Sequence, residues 1–124
     1  MLSLHMDLST IIPVYNEESR IGHSLERITA YFNPLDFEYE IIIIDDGSKD
    51  NTLSVLQAFN QNIHPLKIYN YIPNRGKGYA VRYGMLKGTG KYRLFTDADL
   101  STPIQEVQSI LGYLDQGYDI CIAS

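Results

Sequence analysis

The stretch YEIIIIDDGS, residues 39–48, places an almost continuously apolar, β-branched run directly before two aspartates, a glycine and a serine. A run of this kind is typical of a parallel strand that is covered on both faces. Open parallel sheets bind ligands in the crevice at the carboxyl ends of their strands. The stretch therefore predicts an α/β fold with a ligand site directly after Ile44.

Three other apolar runs precede polar motifs in the same way. The four predicted strands are Leu8–Val14, Tyr39–Ile44, Leu66–Tyr71 and Tyr92–Thr96. The motifs that follow them are Tyr15-Asn16-Glu17, Asp45-Asp46-Gly47-Ser48, Asn74-Arg75-Gly76-Lys77-Gly78 and Asp97-Ala98-Asp99. Short connections and right-handed crossovers predict the parallel strand order 3-2-1-4. That order would bring all four motifs to one edge of the sheet.

Apolar residues at helical spacing predict helices between the strands, packed on both faces of the sheet. The predicted helices are Glu17–Phe32 with Asn16 as N-cap, Thr52–Asn60 capped by Asp50, about Tyr79–Leu86, and one that starts at Thr102-Pro103. Ile120–Ala123 reads as a fifth strand that ends directly at Ser124. A domain rarely stops inside its sheet, so we expect residues 1–124 to form a single domain that is truncated at its C-terminus.

Composition excludes several classes of function. The formal charge is −5 and no lysine or arginine run is present, so a nucleic-acid partner is not expected. The single cysteine, Cys121, excludes an internal disulfide and fits a reducing compartment. Met1–Asp7 has no signal-peptide core, and the longest aliphatic run, Ile41–Ile44, is far too short to span a bilayer. These features predict a soluble chain.

Asp97 and Asp99 are the sharpest signal for chemistry. Two carboxylates about 5 Å apart repel by roughly 3 kcal/mol at an effective dielectric constant of 20, so a cation between them is expected. Hard oxygen ligands select Mg²⁺ or Mn²⁺, and Mg²⁺ commonly combines one or two carboxylates with substrate phosphates. The two residues are therefore predicted metal ligands with a catalytic role. A turn-forming role is the alternative.

The other motifs supply groups that suit a nucleoside diphosphate. Asp45 can accept a hydrogen bond from a base imide, while Asp46 either shapes its loop or approaches the ribose and the metal. Arg75 and Lys77 can reach a diphosphate from a glycine-rich helix start. Tyr15 and Glu17 can frame the base or the ribose.

With these residues in place, the chain resembles family 2 glycosyltransferases of the GT-A fold. The resemblance rests on STIIPVYNEESRI, YEIIIIDDGSKDNT, NRGKGYAVRYGM and FTDADLSTPIQEV, and it covers essentially the whole chain. It implies the Rossmann-like, nucleotide-sugar-binding half of that fold, with a mostly parallel sheet and helices on both faces. Within the family, the chain is most similar to polyprenyl- and dolichyl-phosphate sugar synthases.

By this resemblance, Pro13, Tyr15, Glu17 and Asp45 fall on nucleotide-pocket positions, Arg75 and Lys77 on the basic loop, and Asp97 and Asp99 on the metal-binding D-x-D motif. The implied reaction is an inverting sugar transfer to a polyprenyl phosphate. The sequence DLSTP after Asp97-Ala98 is more similar to the glucosyl-type branch, which favours UDP-glucose over GDP-mannose. The implied location is the cytoplasm or the cytoplasmic face of a membrane.

Two alternatives remain open at this stage. A sugar nucleotidylyltransferase would share the nucleotide-binding sheet, but it should carry a glycine- and arginine-rich loop where this chain has Tyr15-Asn16-Glu17. A non-catalytic nucleotide-binding fragment would fit the abrupt C-terminus. Because the resemblance places the acceptor site in a missing second half, we expect the 124-residue chain alone to lack transferase activity.

Overall fold

The computed structural model describes residues 8–34, 38–60 and 66–98 of the 124-residue chain. Strands and helices alternate along these residues. In chain order they are β1 (Leu8–Val14), α1 (Ile21–Phe32), β2 (Tyr39–Asp45), α2 (Thr52–Asn60), β3 (Leu66–Asn70), α3 (Lys77–Lys87) and β4 (Tyr92–Phe95).

The strands form one parallel sheet in the order β3-β2-β1-β4, which confirms the predicted topology. Pairing of Val14 with Asp45, and of Asp45 with Asn70, aligns the carboxyl ends of three strands. All seven residues of β2 are buried, as its apolar sequence predicts. The polar segments that follow the strands therefore share one edge.

Helices cover both faces of the sheet, as predicted. Ile41 and Ile43 point toward α1 and α2, whereas Ile42 and Ile44 point toward α3. Gly84 lets α3 approach the sheet closely, because a Cβ atom there would lie 2.4 Å from the Ile11 side chain. The structure is thus a three-layer α/β arrangement.

Several predicted boundaries differ from the observed ones. Helix α1 begins at Ile21 rather than at Glu17, and Asn16 is not its N-cap. Helix α3 begins two residues earlier than predicted, while β3 and β4 each end one residue earlier. The predicted helix at Thr102-Pro103 and the predicted strand Ile120–Ala123 lie outside the described residues, so the extent of the domain stays a prediction.

Within the described ranges, none of the helices has the length and apolar character that crossing a bilayer requires.

A buried ionic network closes the amino end of the sheet around Glu40. Its Oε2 accepts hydrogen bonds from Ser9 Oγ at 2.5 Å and from the N–H and hydroxyl groups of Thr89 at 2.8 and 2.9 Å. Lys67 Nζ lies 2.8 Å from Oε1. Burial raises the pKa of the Glu40 carboxyl, but the hydrogen bonds from Lys67, Ser9 and Thr89 outweigh burial and lower the pKa from 4.5 to about 2.

Replacing Glu40 by glutamine should lower the free energy of unfolding at pH 7 by about 2 kcal/mol, since hydrogen bonds to a charged group contribute roughly 1.5–3 kcal/mol. The folded-state pKa is depressed, so the ionic contribution is complete above pH 4.5 and is lost as the pH falls toward 2. In urea unfolding, the difference in free energy of unfolding between wild type and E40Q should therefore become smaller from pH 7 to pH 3. A difference that does not change with pH would contradict an ionised Glu40.

Candidate functional site

A cavity of about 380 Å³ opens at the carboxyl edge of the sheet. Segments that follow all four strands form its wall. The lining residues are Pro13, Val14, Tyr15, Glu17, Asp46, Asn74, Gly76, Lys77, Asp97 and Ala98. The predicted convergence of four polar motifs at one edge is therefore confirmed.

Hydrogen bonds join the loop after β1 to the loop after β2. Asn16 has a φ of +53°, which turns the chain so that its backbone N–H donates to Ser48 Oγ at 2.9 Å. Its side-chain Oδ1 accepts from the Lys49 N–H at 2.8 Å, and the Glu17 N–H donates to Thr52 Oγ1 at 2.8 Å. Asn16 thus connects two loops instead of capping α1.

Asp46 holds the loop between β3 and α3. Its carboxylate accepts hydrogen bonds from the Tyr71 hydroxyl at 2.6 Å, from Asn74 Nδ2 at 2.8 Å, and from the Arg75 and Gly76 N–H groups, both at 2.9 Å. Only 4% of Asp46 is exposed. Burial and the neighbouring Asp46 carboxylate raise the pKa of the Tyr71 hydroxyl. Of the two roles considered for Asp46, the structure supports loop shaping; contact with a nucleotide stays a prediction.

Gly47 brings the same two loops into direct contact. Its φ is +71°, a conformation that L side chains rarely adopt. A Cβ atom at Gly47 would also lie 2.6 Å from the backbone nitrogen of Asn74. Glycine is therefore required here both by conformation and by space.

Lys77 and Asp97 are neighbours in the lining of the cavity. The Lys77 ammonium forms an ion pair with Asp97 Oδ1, with 55% of the Lys77 side chain and 27% of the Asp97 side chain exposed. Ser24 of α1 donates a hydrogen bond to the Ala98 carbonyl and so fixes the backbone next to Asp97. An anion-binding group and a cation-binding group thus lie side by side in one cavity.

The structure brings together six of the predicted site residues, which all line the cavity: Pro13, Tyr15, Glu17, Asp46, Lys77 and Asp97. The Glu17 carboxylate is held by two hydrogen bonds of 2.7 Å from the Arg20 guanidinium. Asp45 and Arg75 do not line the cavity. Asp45 is buried and its Oδ1 accepts the Ser48 N–H at 3.0 Å, while the Arg75 guanidinium lies 5.1 Å from the centre of the Tyr79 ring.

Of the two predicted metal ligands, the structure describes only Asp97. Asp99 lies outside the described residues, and the described ranges contain no cluster of three or more His, Cys, Asp or Glu side chains that could hold an ion. Asp97 nevertheless suits a divalent cation, because its partly exposed carboxylate already binds a cationic group. One or two carboxylates are enough when substrate phosphates complete the coordination of Mg²⁺.

Five residues that shape the site were not among the predicted site residues: Ser24, Val14, Asn74, Gly76 and Ala98. Ser24 sits on the buried side of α1, where its hydroxyl reaches the Ala98 carbonyl. Val14 and Ala98 line the cavity as small apolar residues beside the polar motifs. A serine among apolar residues on a predicted buried helix face is the one local signal that could have indicated Ser24.

Comparison with known sequences identifies the family. The sequence model described as Glycosyl transferase family 2 matches residues 9–124. The chain belongs to glycosyl transferase family 2. Dolichyl-phosphate beta-glucosyltransferases of Dictyostelium discoideum and Drosophila melanogaster are 41% and 37% identical to this family 2 chain, over 113 and 112 residues that cover 83% and 85% of it. The chain covers 34% of each relative, about a third of its length.

Solved structures of glycosyltransferases share the fold of this family 2 chain, which confirms the expected Rossmann-like GT-A arrangement. S. aureus TarS 1-349 in complex with UDP-GlcNAc aligns with a TM-score of 0.72 and 27% identity, over 90% of this chain and 32% of TarS. The mannosyltransferase PcManGT from Pyrobaculum calidifontis, in complex with GDP-Man and Mn²⁺, aligns with a TM-score of 0.69 and 26% identity, over 86% of this chain and 31% of PcManGT.

Removing the Asp46 carboxylate should disorganise the loop between β3 and α3 of this family 2 chain. We expect D46A to lower the free energy of unfolding by about 3 kcal/mol, because several buried donors lose their acceptor. The matched control Y71F removes one hydrogen bond and should cost about 1 kcal/mol. Urea unfolding measures both values, and amide exchange at Arg75 and Gly76 should accelerate in D46A only. If D46A and Y71F lower the free energy of unfolding equally, and amide exchange at Arg75 and Gly76 is unchanged in D46A, Asp46 does not organise this loop.

Proposed function

We propose that the cavity binds a nucleoside diphosphate sugar and that the protein acts in sugar transfer from this donor. The Lys77–Asp97 pair is the observation that carries the proposal, because it supplies one site for a diphosphate and one for its metal ion within the same cavity. Membership of glycosyl transferase family 2 supports transfer of a sugar over nucleotidylyl transfer.

The cavity lining offers a basic group for the donor's diphosphate and an aromatic group for its nucleoside. Lys77 begins helix α3, so its ammonium and the positive end of the helix dipole both favour a diphosphate there. Tyr15 is 39% exposed at the end of β1 and offers an aromatic surface to a base or a ribose. Pro13 and Glu17 extend that part of the wall.

Asp97, together with its sequence neighbour Asp99, would hold the Mg²⁺ or Mn²⁺ ion. When bound, such an ion neutralises negative charge that develops on the departing diphosphate. The solved mannosyltransferase complex with GDP-Man and Mn²⁺ supports a divalent ion in this fold.

The ion pair couples the two ligands of the site. A metal ion on Asp97 competes with the Lys77 ammonium for the carboxylate, and a diphosphate on Lys77 competes with Asp97 for the ammonium. A metal cation on Asp97 would lie close to the positive Lys77 ammonium and be repelled by it. For two unit charges about 4 Å apart this repulsion is roughly 4 kcal/mol at an effective dielectric constant of 20. Binding of the metal ion with the diphosphate relieves this repulsion, so each ligand should strengthen binding of the other.

The proposed reaction is an inverting displacement at the anomeric carbon. A phosphate oxygen of the acceptor forms the new bond to that carbon, while the bond to the donor diphosphate breaks and its electron pair leaves with the nucleoside diphosphate. A polyprenyl phosphate is already anionic, so no proton needs to be removed from it. Lys77 offsets charge on the leaving group. The dolichyl-phosphate beta-glucosyltransferase relatives support a lipid-phosphate acceptor and a glucosyl donor. We propose UDP-glucose as this donor, with GDP-mannose as the second choice.

Exchanging Lys77 for methionine should separate the two ligands of the site. Because the competing ammonium is removed, K77M should bind Mn²⁺ alone about threefold or more tightly than wild type does, and its affinity for UDP with Mn²⁺ should fall by about tenfold. Isothermal titration calorimetry measures both constants. The control K49M removes an exposed lysine outside the cavity lining and should change neither value. If K77M and K49M lose the same affinity for UDP with Mn²⁺, binding depends on the net charge of the protein and not on Lys77.

The identity of the base tests the predicted role of Asp45, which is buried next to the cavity and is not part of its lining. Uracil and guanine present a ring N–H donor, whereas adenine and cytosine lack it, so UDP or GDP should bind at least about tenfold more tightly than ADP and CDP in the presence of Mg²⁺. Calorimetry with the four diphosphates, on wild type and D45N, should show this preference and its reduction in the variant. Equal affinity of the wild type for ADP and UDP would refute base recognition by Asp45.

A further inference from the structure

The charges of this acidic protein are strongly segregated along the chain. Residues 66–96 contain no aspartate or glutamate, although the chain has 15 acidic residues and a net charge of −5. The same segment contains seven of the ten basic residues: Lys67, Arg75, Lys77, Arg82, Lys87, Lys91 and Arg93. Lys77, Arg82 and Lys87 belong to α3, and Arg75 lies just before it. Arg93 donates a hydrogen bond to the Met85 carbonyl of α3, so most of these charges lie in the α3 layer.

Two of these cations form ion pairs with acidic residues of the fold, whereas others contact tyrosine rings. Lys67 is paired with Glu40, and Lys77 with Asp97. In contrast, Arg75 lies 5.1 Å from the centre of the Tyr79 ring, and Lys87 lies 5.3 and 5.4 Å from the Tyr69 and Tyr83 rings. These contacts hold the basic groups over tyrosine rings.

The outward side of α3 combines these cations with apolar side chains. Tyr79, Arg82 and Leu86 recur at helical spacing, opposite the buried Ala80 and Gly84. Leu86 is 76% exposed and Tyr79 is 41% exposed. We call this surface the basic aromatic face; its members are Arg75, Tyr79, Arg82, Leu86 and Lys87. Tyr83 is partly buried and packs against the core beneath Lys87.

The opposite layer has the reverse charge balance. Helices α1 and α2 and the described loops beside them carry more acidic than basic residues: Glu17, Glu18, Glu26, Glu38 and Asp50 against Arg20, Arg27 and Lys49. An anionic surface would attract the protein through the basic aromatic face and repel it on the other side. The charge distribution therefore defines an orientation.

We propose that the basic aromatic face docks on the surface of a bilayer that contains anionic phospholipids. Lysine and arginine bind lipid phosphates, tyrosine rings favour the headgroup level, and an exposed leucine can enter the boundary of the acyl chains. An acidic protein partner would use the cations but would not require the exposed Leu86. The proposal rests on charge and exposure alone, so it stands independently of the proposed sugar transfer.

Vesicle binding tests the charge component. The full chain should sediment with vesicles of phosphatidylcholine that contain about a third phosphatidylserine, and it should not sediment with pure phosphatidylcholine vesicles; added salt should release it. R82Q/K87Q should lower the partition coefficient about tenfold or more, since each basic residue near an anionic surface contributes roughly a fivefold factor. The control R27Q/K49Q makes the same change in net charge on the opposite layer and should alter the coefficient by less than about twofold.

Fluorescence tests the orientation. The chain contains no tryptophan, so L86W and Q57W each introduce a single reporter, the first on the basic aromatic face and the second on the exposed side of α2. Anionic vesicles should shift the emission of L86W to shorter wavelength and leave Q57W unchanged. Thermal melting of all variants establishes that they are folded.

Three results would overturn the proposal. The first is absence of binding to anionic vesicles by the folded wild-type chain. The second is an equal loss of binding in the two charge variants, or an equal spectral shift at the two reporters. The third is binding to heparin at the same ionic strength without binding to vesicles, which would assign the face to a polyanionic macromolecule instead.

Discussion

The site depends on one buried carboxylate, that of Asp46. A buried anion without partners is costly, so the chain must surround it with donors. The donors come from the end of β3 and from the loop before α3: the Tyr71 hydroxyl, the Asn74 amide and two backbone N–H groups. This arrangement fixes where α3 begins and therefore where Lys77 meets Asp97. Gly47 completes it, because only a residue without a side chain lets the two loops touch.

Strand β2 has a buried acid, Glu40, near its start and is followed directly by another, Asp46; each acid stabilises a different edge of the sheet. Glu40 shares the strand period of Ile42 and Ile44, which face α3. Asp46 lies in the same layer, because it binds Tyr71, which packs against that part of the core. Glu40 joins Lys67 and the turn at Thr89, which stabilises the amino edge. Asp46 organises the carboxyl edge, where the cavity opens. The basic segment, residues 66–96, thus satisfies one buried acid at each edge, pairs Lys77 with Asp97, and leaves Arg82 and Lys87 on the outer surface.

The sequence predicts the strands, their order and the shared edge, because apolar runs, turn residues and short crossovers are local signals. It does not predict which partners a polar side chain takes across the fold. Asn16 resembles an N-cap in sequence, but its partners Ser48 and Lys49 lie more than 30 positions away. The Lys77–Asp97 pair is hidden for the same reason. The basic segment, in contrast, is visible in the sequence once charge is counted by segment rather than over the whole chain.

The location of the bound nucleotide is the most direct test of the proposed donor site. A titration of isotopically labelled protein with UDP and Mg²⁺, followed by amide resonances in NMR spectra, reports binding residue by residue. Binding in the cavity should shift the amide resonances of residues at the carboxyl edge, among them Tyr15, Lys77 and Ala98. It should leave those of Thr89 and Gly90 on the amino edge unchanged. Shifts confined to the amino edge, or none at saturating UDP, would contradict the assignment of the cavity as the donor site.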